Sequence, residues 1–209
     1  MEHPGKHQAS HTTTPATTPI PELIREAHQV IRTLCSGTPA QQLAAVDGNF
    51  THDATFRHTI CRVPSFGDVN VPLLGAVNSR WVIGCIYRWY KVLSPRIEVD
   101  IESVVLDHKT QRLYVSMAQT FSLFIIPFYY AKVPLVTVLR LVKEDDDRFY
   151  ISAQEDYYEP EDFVKFFLPG AHWLVHIFQW FTVAICVLCA LLLAPPLKAA
   201  QKIGGWKMD

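Results

Sequence analysis

The sequence predicts an α+β domain followed by one membrane-spanning helix. Three observations support this: helical spacing of apolar residues in 22–35 and 72–93, strand-like alternation across much of 96–158, and an uncharged apolar stretch at 173–194. A single curved sheet wrapped around the N-terminal helices would bury the helix stripes and one face of each strand. We therefore expect a cone-shaped, antiparallel sheet enclosing those helices.

Two helices are expected before the first strand. Apolar residues recur at helical spacing over Glu22–Cys35, and Ser36-Gly37 ends that segment. Thr38 is a favourable N-cap, and Pro39 suits the first position of a short second helix through Gln41–Val46. The N-terminal half thus begins as a helical pair.

A strand, a longer helix and a four-stranded meander follow. Ile97, Val99 and Ile101 alternate with acidic residues, which is typical of a strand with one buried face. A short helix, Glu161–Phe167, is expected to precede the apolar stretch. The other expected elements are the strand Asn49–Val63, the helix Pro72–Leu93, and the strands Arg96–Leu106, Arg112–Ile125, Leu135–Val142 and Phe149–Tyr158.

The C-terminal stretch Trp173–Ala194 contains no Asp, Glu, Lys or Arg. About 20 helical residues cross a hydrocarbon core of about 30 Å. Each Leu, Ile, Phe or Val favours insertion by about 0.3–0.6 kcal/mol, whereas a central charge opposes it by about 2.5–3.5 kcal/mol. A buried core helix is the alternative. We predict a membrane helix within 171–196, between a domain at 21–170 and a basic tail at 197–209, with a disordered Thr/Pro-rich leader at 1–20.

Two rules disagree about the orientation of this span. Lys198, Lys202 and Lys207 follow it, and positive charge favours a cytosolic tail. Moving a short tail across a membrane is nevertheless easier than exporting a whole domain that lacks a signal sequence. We therefore expect a single-pass tail anchor with its domain in the cytosol, on the endoplasmic reticulum or the mitochondrial outer membrane.

Composition excludes several functional classes. The net charge of −1 shows no excess of basic residues of the kind that binds nucleic acid. Five cysteines without framework spacing argue against a disulfide-built module. Neither a phosphate-binding loop, a nucleophile elbow nor a metal-spaced His/Cys cluster occurs, so we expect no metal and no cofactor.

Four stretches carry a resemblance to a known family. They are NFTHDATFRHTICRV (49–63), RWYKVLSPRIEVDIESV (88–104), FSLFIIPFYYAKVPLVTVLRL (121–141) and ISAQEDYYEPEDFVKFFLPG (151–170). Together they make the chain resemble the nuclear transport factor 2-like superfamily, and most of all its fungal, membrane-anchored SigF-like branch. The resemblance implies a cone that encloses a pocket. It implies no particular activity, because the superfamily includes enzymes, transport factors and binding modules.

The resemblance also directs attention to side chains that would face such a pocket. The expected lining includes Tyr87, Tyr90, Gln119, Phe121, Arg140 and Gln154. An apolar contribution is expected from Phe124, Ile125, Phe128, Tyr129 and Tyr130, and from Phe163, Phe166 and Phe167 beside the membrane. Such a lining suits a small hydrophobic ligand.

Asp53, His58 and Asp156 are the candidate catalytic residues. Enzymes similar to this chain, such as dehydratases, polyketide cyclases and ketosteroid isomerases, use Asp, His or Tyr for proton transfer. No such role is assigned to a particular residue here. Alternatively, Asp53 is a sheet-edge carboxylate bonded to nearby backbone, His58 is a core histidine, and Asp156 pairs with Arg140.

Three functional hypotheses follow. The first is a membrane-tethered binding module for a hydrophobic or lipid-like molecule, and the second is an enzyme of the dehydratase or isomerase type. The third is an assembly module, such as a homodimer, that pairs through an apolar outer face of Arg112–Ile125 or Leu135–Val142. The side chains that face the cavity would separate the first two hypotheses.

Overall fold

In the computed structural model, the described residues are 20–122, 130–159, 161–162, 164, 170 and 172–204. The expected leader lies outside these residues except for its last position. The aromatic connection 123–129 and most of the expected helix Glu161–Phe167 also lie outside them.

Four helices are described. They are α1 (Ile20–Ser36), α2 (Pro39–Asn49), α3 (Ser79–Leu93) and α4 (His172–Gly204). The expected cap of α2 is confirmed: the Thr38 hydroxyl accepts from the Gln41 backbone N–H at 3.3 Å, and Gln41 Oε1 accepts from the Thr38 N–H at 2.9 Å. This reciprocal pair satisfies two backbone donors that a helix start leaves without partners.

Six strands form the main sheet, in the order β2-β1-β8-β7-β6-β5, and β3 and β4 form a separate hairpin. The strands are β1 (Phe50–Arg57), β2 (Arg62–Val63), β3 (Val69–Val71), β4 (Gly75–Val77), β5 (Arg96–Asp107), β6 (Arg112–Ser122), β7 (Tyr130–Lys143) and β8 (Phe149–Tyr158). All neighbours are antiparallel except β1 and β8, which are parallel. The curved sheet is therefore mixed, whereas we expected an antiparallel one, because side-chain alternation does not encode the direction of pairing.

Two expected elements are shorter than the sequence suggested. The strand Asn49–Val63 is interrupted by a tight turn, in which His58 and Cys61 exchange backbone hydrogen bonds of 2.9 and 3.3 Å. The long helix begins only at Ser79, because Leu73 and Gly75 adopt positive φ angles of 73° and 78° in the β3–β4 turn. Such angles are incompatible with a right-handed helix.

The core lies between the inner face of the sheet and the helices. Strand β7 shows the arrangement: Val133, Leu135 and Leu139 are buried, whereas Val136 and Arg140 on the same strand are exposed. Period-two alternation thus separates an inner face from an outer face. Phe50, Phe56 and Ile83 are almost fully buried, and each such side chain stabilises the fold by about 1.5–3 kcal/mol.

The apolar part of α4 has the properties of a membrane-crossing helix. Trp173–Leu192 spans 20 residues. Its most apolar 18-residue stretch has a mean hydropathy of 2.2, and none of that stretch is buried inside the protein. Trp180 and Leu191 are 77% and 69% exposed. The alternative of a buried core helix does not describe this segment, because a core helix packs its apolar side chains against the protein.

Candidate functional site

A cavity of about 250 Å³ lies between the helices and the inner face of the sheet. Helix α1 contributes Ile31 and Leu34, and α3 contributes Leu93. Val133 and Leu139 approach from β7. Apolar atoms form most of the wall, so the cavity favours an apolar occupant.

The polar groups of the cavity are centred on Asp156. Thr137 Oγ1 donates to Asp156 Oδ1 at 2.8 Å, and Gln154 Nε2 donates to Oδ1 at 3.0 Å and to Oδ2 at 3.2 Å. The Tyr87 hydroxyl donates to Gln154 Oε1 at 2.8 Å. Gln154 and Asp156 point inward together because they lie two residues apart on β8.

Burial raises the pKa of the Asp156 carboxyl to about 6, although the hydrogen bonds from Gln154 and Thr137 act in the opposite direction. Protein atoms surround this carboxyl, yet its residue is only half-buried by surface area because it faces the open cavity. An acid with this pKa changes its charge close to neutral pH, which is a common property of functional carboxyls.

His58 immediately follows β1 and also lines the cavity. Its ring packs among aromatic rings, with centroid distances of 4.8 Å to Tyr158, 5.6 Å to Tyr90 and 6.4 Å to Phe56. Burial lowers the pKa of His58 to about 4. The imidazole is therefore neutral at physiological pH. It lines the same cavity as Asp156.

The cavity also contains a thiol and buried phenols. Gln119 Nε2 donates to Cys35 Sγ at 3.2 Å, and burial raises the pKa of the Cys35 thiol to about 12. Burial likewise raises the pKa of Tyr87 and Tyr158 well above the usual value. These groups stay protonated near neutrality, so Cys35 is not an activated nucleophile.

The structure places most of the expected site residues around this cavity. Those that line it are His58, Tyr87, Tyr90, Gln119, Phe121, Gln154 and Asp156. Tyr130 begins β7 and is 63% exposed. The other expected aromatic residues (Phe124, Ile125, Phe128, Tyr129, Phe163, Phe166 and Phe167) fall outside the described part of the chain.

Two expectations need correction. Arg140 lies on the outer face of β7, lining a shallow depression beside Glu155 rather than the cavity. It therefore cannot form the expected ion pair with Asp156, which binds Thr137 and Gln154 instead. Asp53 is exposed and accepts a hydrogen bond from Ser65 Oγ at 3.0 Å, so it is a surface carboxylate bonded to a side chain rather than to backbone.

Thr137 and Cys35 also line the cavity, although neither was expected there. Thr137 has the same parity on β7 as the buried Leu135 and Leu139, a signal that was available in the sequence. Cys35 continues the apolar stripe of α1 after Ile31. Within the described ranges, the structure brings together no group of three His, Cys, Asp or Glu side chains that could hold a metal ion.

The helices, the curved mixed sheet and the enclosed pocket define a nuclear transport factor 2-like fold. Within that superfamily, the chain belongs to the family of the SigF NTF2-like domain, whose model matches residues 23–194. The match includes the apolar segment of α4 up to Ala194. Among curated proteins, none matches this chain.

Several solved structures are similar to the chain. A candidate SnoaL-like polyketide cyclase from Jannaschia sp. has 16% identity and a TM-score of 0.47, covering 68% of this chain and 90% of that one. Nuclear transport factor 2 from Cryptosporidium parvum has 9% identity and a TM-score of 0.45, with coverages of 65% and 90%. An LEH-like epoxide hydrolase from M. tuberculosis has 15% identity and a TM-score of 0.44, with coverages of 72% and 96%. These similarities carry no information about activity.

Proposed function

We propose that this protein is a membrane-tethered module whose pocket binds a small hydrophobic or lipid-like molecule. The observation that supports this most strongly is a largely apolar cavity of about 250 Å³ with its polar groups gathered around Asp156. An apolar cavity of about 150 Å³ is sufficient to bind benzene. The available space therefore suits a compact organic ligand, held by apolar contact and oriented by a few polar groups.

The tether in this proposal is α4. Its uncharged segment Trp173–Leu192 supports a single-pass anchor near the C-terminus. The proposed orientation leaves the domain in the cytosol, on the endoplasmic reticulum or the mitochondrial outer membrane of a fungal cell. Asn49, which lies in a glycosylation sequon, donates its side-chain amide to the Ala45 carbonyl at 2.8 Å, and that engagement is consistent with a site that is not glycosylated.

Photolabelling tests the proposed binding. The full chain in lipid nanodiscs would be exposed to adamantyl diazirine, a compact apolar photoreagent, and labelled peptides would be mapped by mass spectrometry. Mapping separates labels in the cavity wall from labels on the lipid-facing α4. We expect labels on β6 and β8, whose inner residues include Met117 and Gln154.

Two variants of one strand complete this experiment. Val133→Trp places a large ring in the cavity, whereas Val136→Trp places it on the outer face, where the side chain is 40% exposed. We expect Val133→Trp to reduce cavity labelling at least tenfold, and Val136→Trp to leave it unchanged. Equal labelling of all three proteins, or wild-type labels confined to α4, would contradict the proposal.

Proton-transfer catalysis is the second candidate, and the raised pKa of the Asp156 carboxyl favours it. In this reaction the carboxylate would remove a proton from carbon next to a carbonyl group and then return one. The probe is 4-phenyl-2-butanone in deuterated buffer, with exchange followed by NMR. Catalysed exchange that is lost in Asp156→Asn and kept in Asp53→Asn would support an enzyme, and exchange at the buffer rate would contradict one.

Self-assembly through the outer face of the sheet stays a prediction. This face combines exposed Tyr114 and Val136 with the charges of Arg112, Arg140 and Glu155. It is therefore more mixed than the apolar outer face that the assembly hypothesis calls for. Mass photometry of the full chain in nanodiscs at increasing concentration would detect a homodimer.

A further inference from the structure

We propose that the ligand of this pocket carries a basic nitrogen, whose ammonium group binds the Asp156 carboxylate while its apolar body fills the rest of the cavity. This inference rests on the proposed function, since it requires that the cavity holds a hydrophobic molecule. It adds the chemical class of that molecule: a compact hydrophobic amine.

The first argument is the uneven hydrogen bonding of the carboxylate. Asp156 Oδ1 accepts from Thr137 at 2.8 Å and from Gln154 at 3.0 Å, whereas the bond from Gln154 to Oδ2 is longer, at 3.2 Å. A single N–H₂ group spans both oxygens. An ionised carboxylate offers about four acceptor positions, so Oδ2 keeps capacity for a donor supplied by a ligand.

The second argument is the missing positive charge. Among the described residues of the cavity wall, no Lys or Arg is present. Inside the cavity and at its edge, the titratable groups around Asp156 are the thiols of Cys35 and Cys61, the phenols of Tyr87, Tyr90 and Tyr158, and the imidazole of His58. Asp156 also borders an open depression outside the cavity together with Arg57 and Arg62, both of which are exposed to solvent. The thiols, phenols and imidazole are neutral near pH 7, because burial raises the pKa values of the thiols and phenols and lowers that of His58 to about 4.

A desolvated carboxylate with no counter-charge inside its cavity is energetically unfavourable, and the charges of exposed arginines outside the cavity are screened by solvent. A ligand ammonium would supply the charge that the wall lacks, as well as a donor for Oδ2. An alcohol of the same shape would supply a donor but no charge. The two ligand classes therefore differ in the property on which the inference depends.

The third argument is the aromatic wall beside the carboxylate. The rings of Tyr90 and Tyr158 lie 5.6 and 4.8 Å from the His58 ring, and all three line the cavity. Aromatic faces attract cations, and the attraction increases when the cation is desolvated. A carboxylate next to such rings is a suitable environment for an ammonium group.

The test is competition against the apolar photoreagent in the full chain, reconstituted in nanodiscs. The competitors are 2-phenylethylamine and 2-phenylethanol, which share a shape and differ in charge. We expect the amine to suppress cavity labelling at a concentration at least tenfold lower than the alcohol.

Asp156→Asn, with Asp53→Asn as its matched control, tests whether the preference for the amine depends on the Asp156 carboxylate. Asp53 undergoes the same chemical change on the outer surface, away from the cavity. We expect the preference to fall to about one in Asp156→Asn and to persist in Asp53→Asn. A preference that persists in Asp156→Asn, or equal potency of amine and alcohol in the wild type, would overturn the inference.

A pH series on the wild type covers the case in which Asp156→Asn does not fold, as judged by circular dichroism. The amine preference should decline between pH 7 and pH 5 as the carboxyl becomes protonated, while the potency of the alcohol stays constant. A preference independent of pH would overturn the inference. Competition by the alcohol alone would leave the hydrophobic pocket intact and reject only the amine, whereas absence of cavity labelling would reject the proposed function as well.

Discussion

Tyr87 and Gln154 meet across the pocket, where the phenolic hydroxyl on α3 donates to Oε1 on β8 over 2.8 Å. This bond orients the side-chain amide of Gln154, because Oε1 accepts from Tyr87 and Nε2 therefore points at Asp156. A reversed amide would place its carbonyl oxygen against the carboxylate. The contact thus joins α3 to β8 and determines which atom of the Gln154 amide faces the Asp156 carboxyl.

Tyr87→Phe removes this donor and leaves a buried acceptor without it. We expect the free energy of unfolding to fall by about 1–2 kcal/mol, measured by denaturant unfolding of the full chain in nanodiscs. Tyr150→Phe is the matched control, because its hydroxyl donates to Asp146 at 2.7 Å on the surface. The control should change stability by less than about 0.5 kcal/mol. Equal losses of unfolding free energy in both variants would show that the bond in the pocket contributes no more to stability than the bond on the surface.

Asp156 should make the protein less stable as pH rises. Its pKa of about 6 in the folded state exceeds the ordinary value of 3.8, so between these values the folded state binds more protons than the unfolded state. Its contribution to stability is full below pH 3.8 and is lost as pH rises through about 6.

Relative to the wild type, Asp156→Asn should therefore gain stability between pH 4 and pH 7. The shift sets an upper limit of about 3 kcal/mol, and solvent contact through the cavity reduces the expected gain to roughly 1–2 kcal/mol. Thermal unfolding at several pH values measures this difference. A constant difference between the two proteins would contradict the raised pKa of Asp156.

His58 should have the opposite effect. Its folded pKa of about 4 lies below the ordinary 6.5, so the unfolded state binds more protons between these values. The contribution of His58 is present above pH 6.5 and is lost as pH falls through about 4. His58→Gln should consequently lose less stability than the wild type on acidification, in the same thermal series. His28, on α1 and outside the cavity wall, gives His28→Gln as the matched control, and this variant should lose as much stability on acidification as the wild type.

Membrane attachment through α4 is tested by inserting charge into its apolar segment. Val183→Asp combined with Val187→Asp should release the chain into the supernatant of an alkaline carbonate wash, since each central charge costs about 2.5–3.5 kcal/mol. Both valines are exposed on the helix surface. The control places the same two changes at Val105 and Val136, exposed residues of the sheet. Release of the wild type itself would contradict a membrane anchor.

Local features of the fold were predictable because local chemistry determines them. Thr38-Pro39 marks the start of α2 through capping alone, and the meander follows from alternation. The pairing of β1 with β8 depends instead on residues about 100 positions apart, which no local pattern specifies. The start of α3 was placed too early because Pro72 suits a helix start as well as a turn.

The residue types at the site were easier to predict from the sequence than the positions of these residues relative to one another. The inward positions of Gln154 and Asp156 agree with the alternation of β8, and the same rule applied to β7 would have placed Arg140 outside. The neighbourhood of His58 and Asp156 required the tertiary structure, because one follows β1 and the other lies near the end of β8. Cavity volume, burial and the resulting pKa shifts are likewise properties of packing rather than of sequence.

Native mass spectrometry of the full chain released from nanodiscs can detect a hydrophobic molecule bound in the pocket. We expect the wild type and Val136→Trp to carry a bound small apolar molecule, seen as a discrete mass increase that organic extraction removes. Val133→Trp, with its cavity filled, should lack this increase. A wild-type protein with the mass of its chain alone, or the same adduct on Val133→Trp, would show that the cavity does not bind such a ligand.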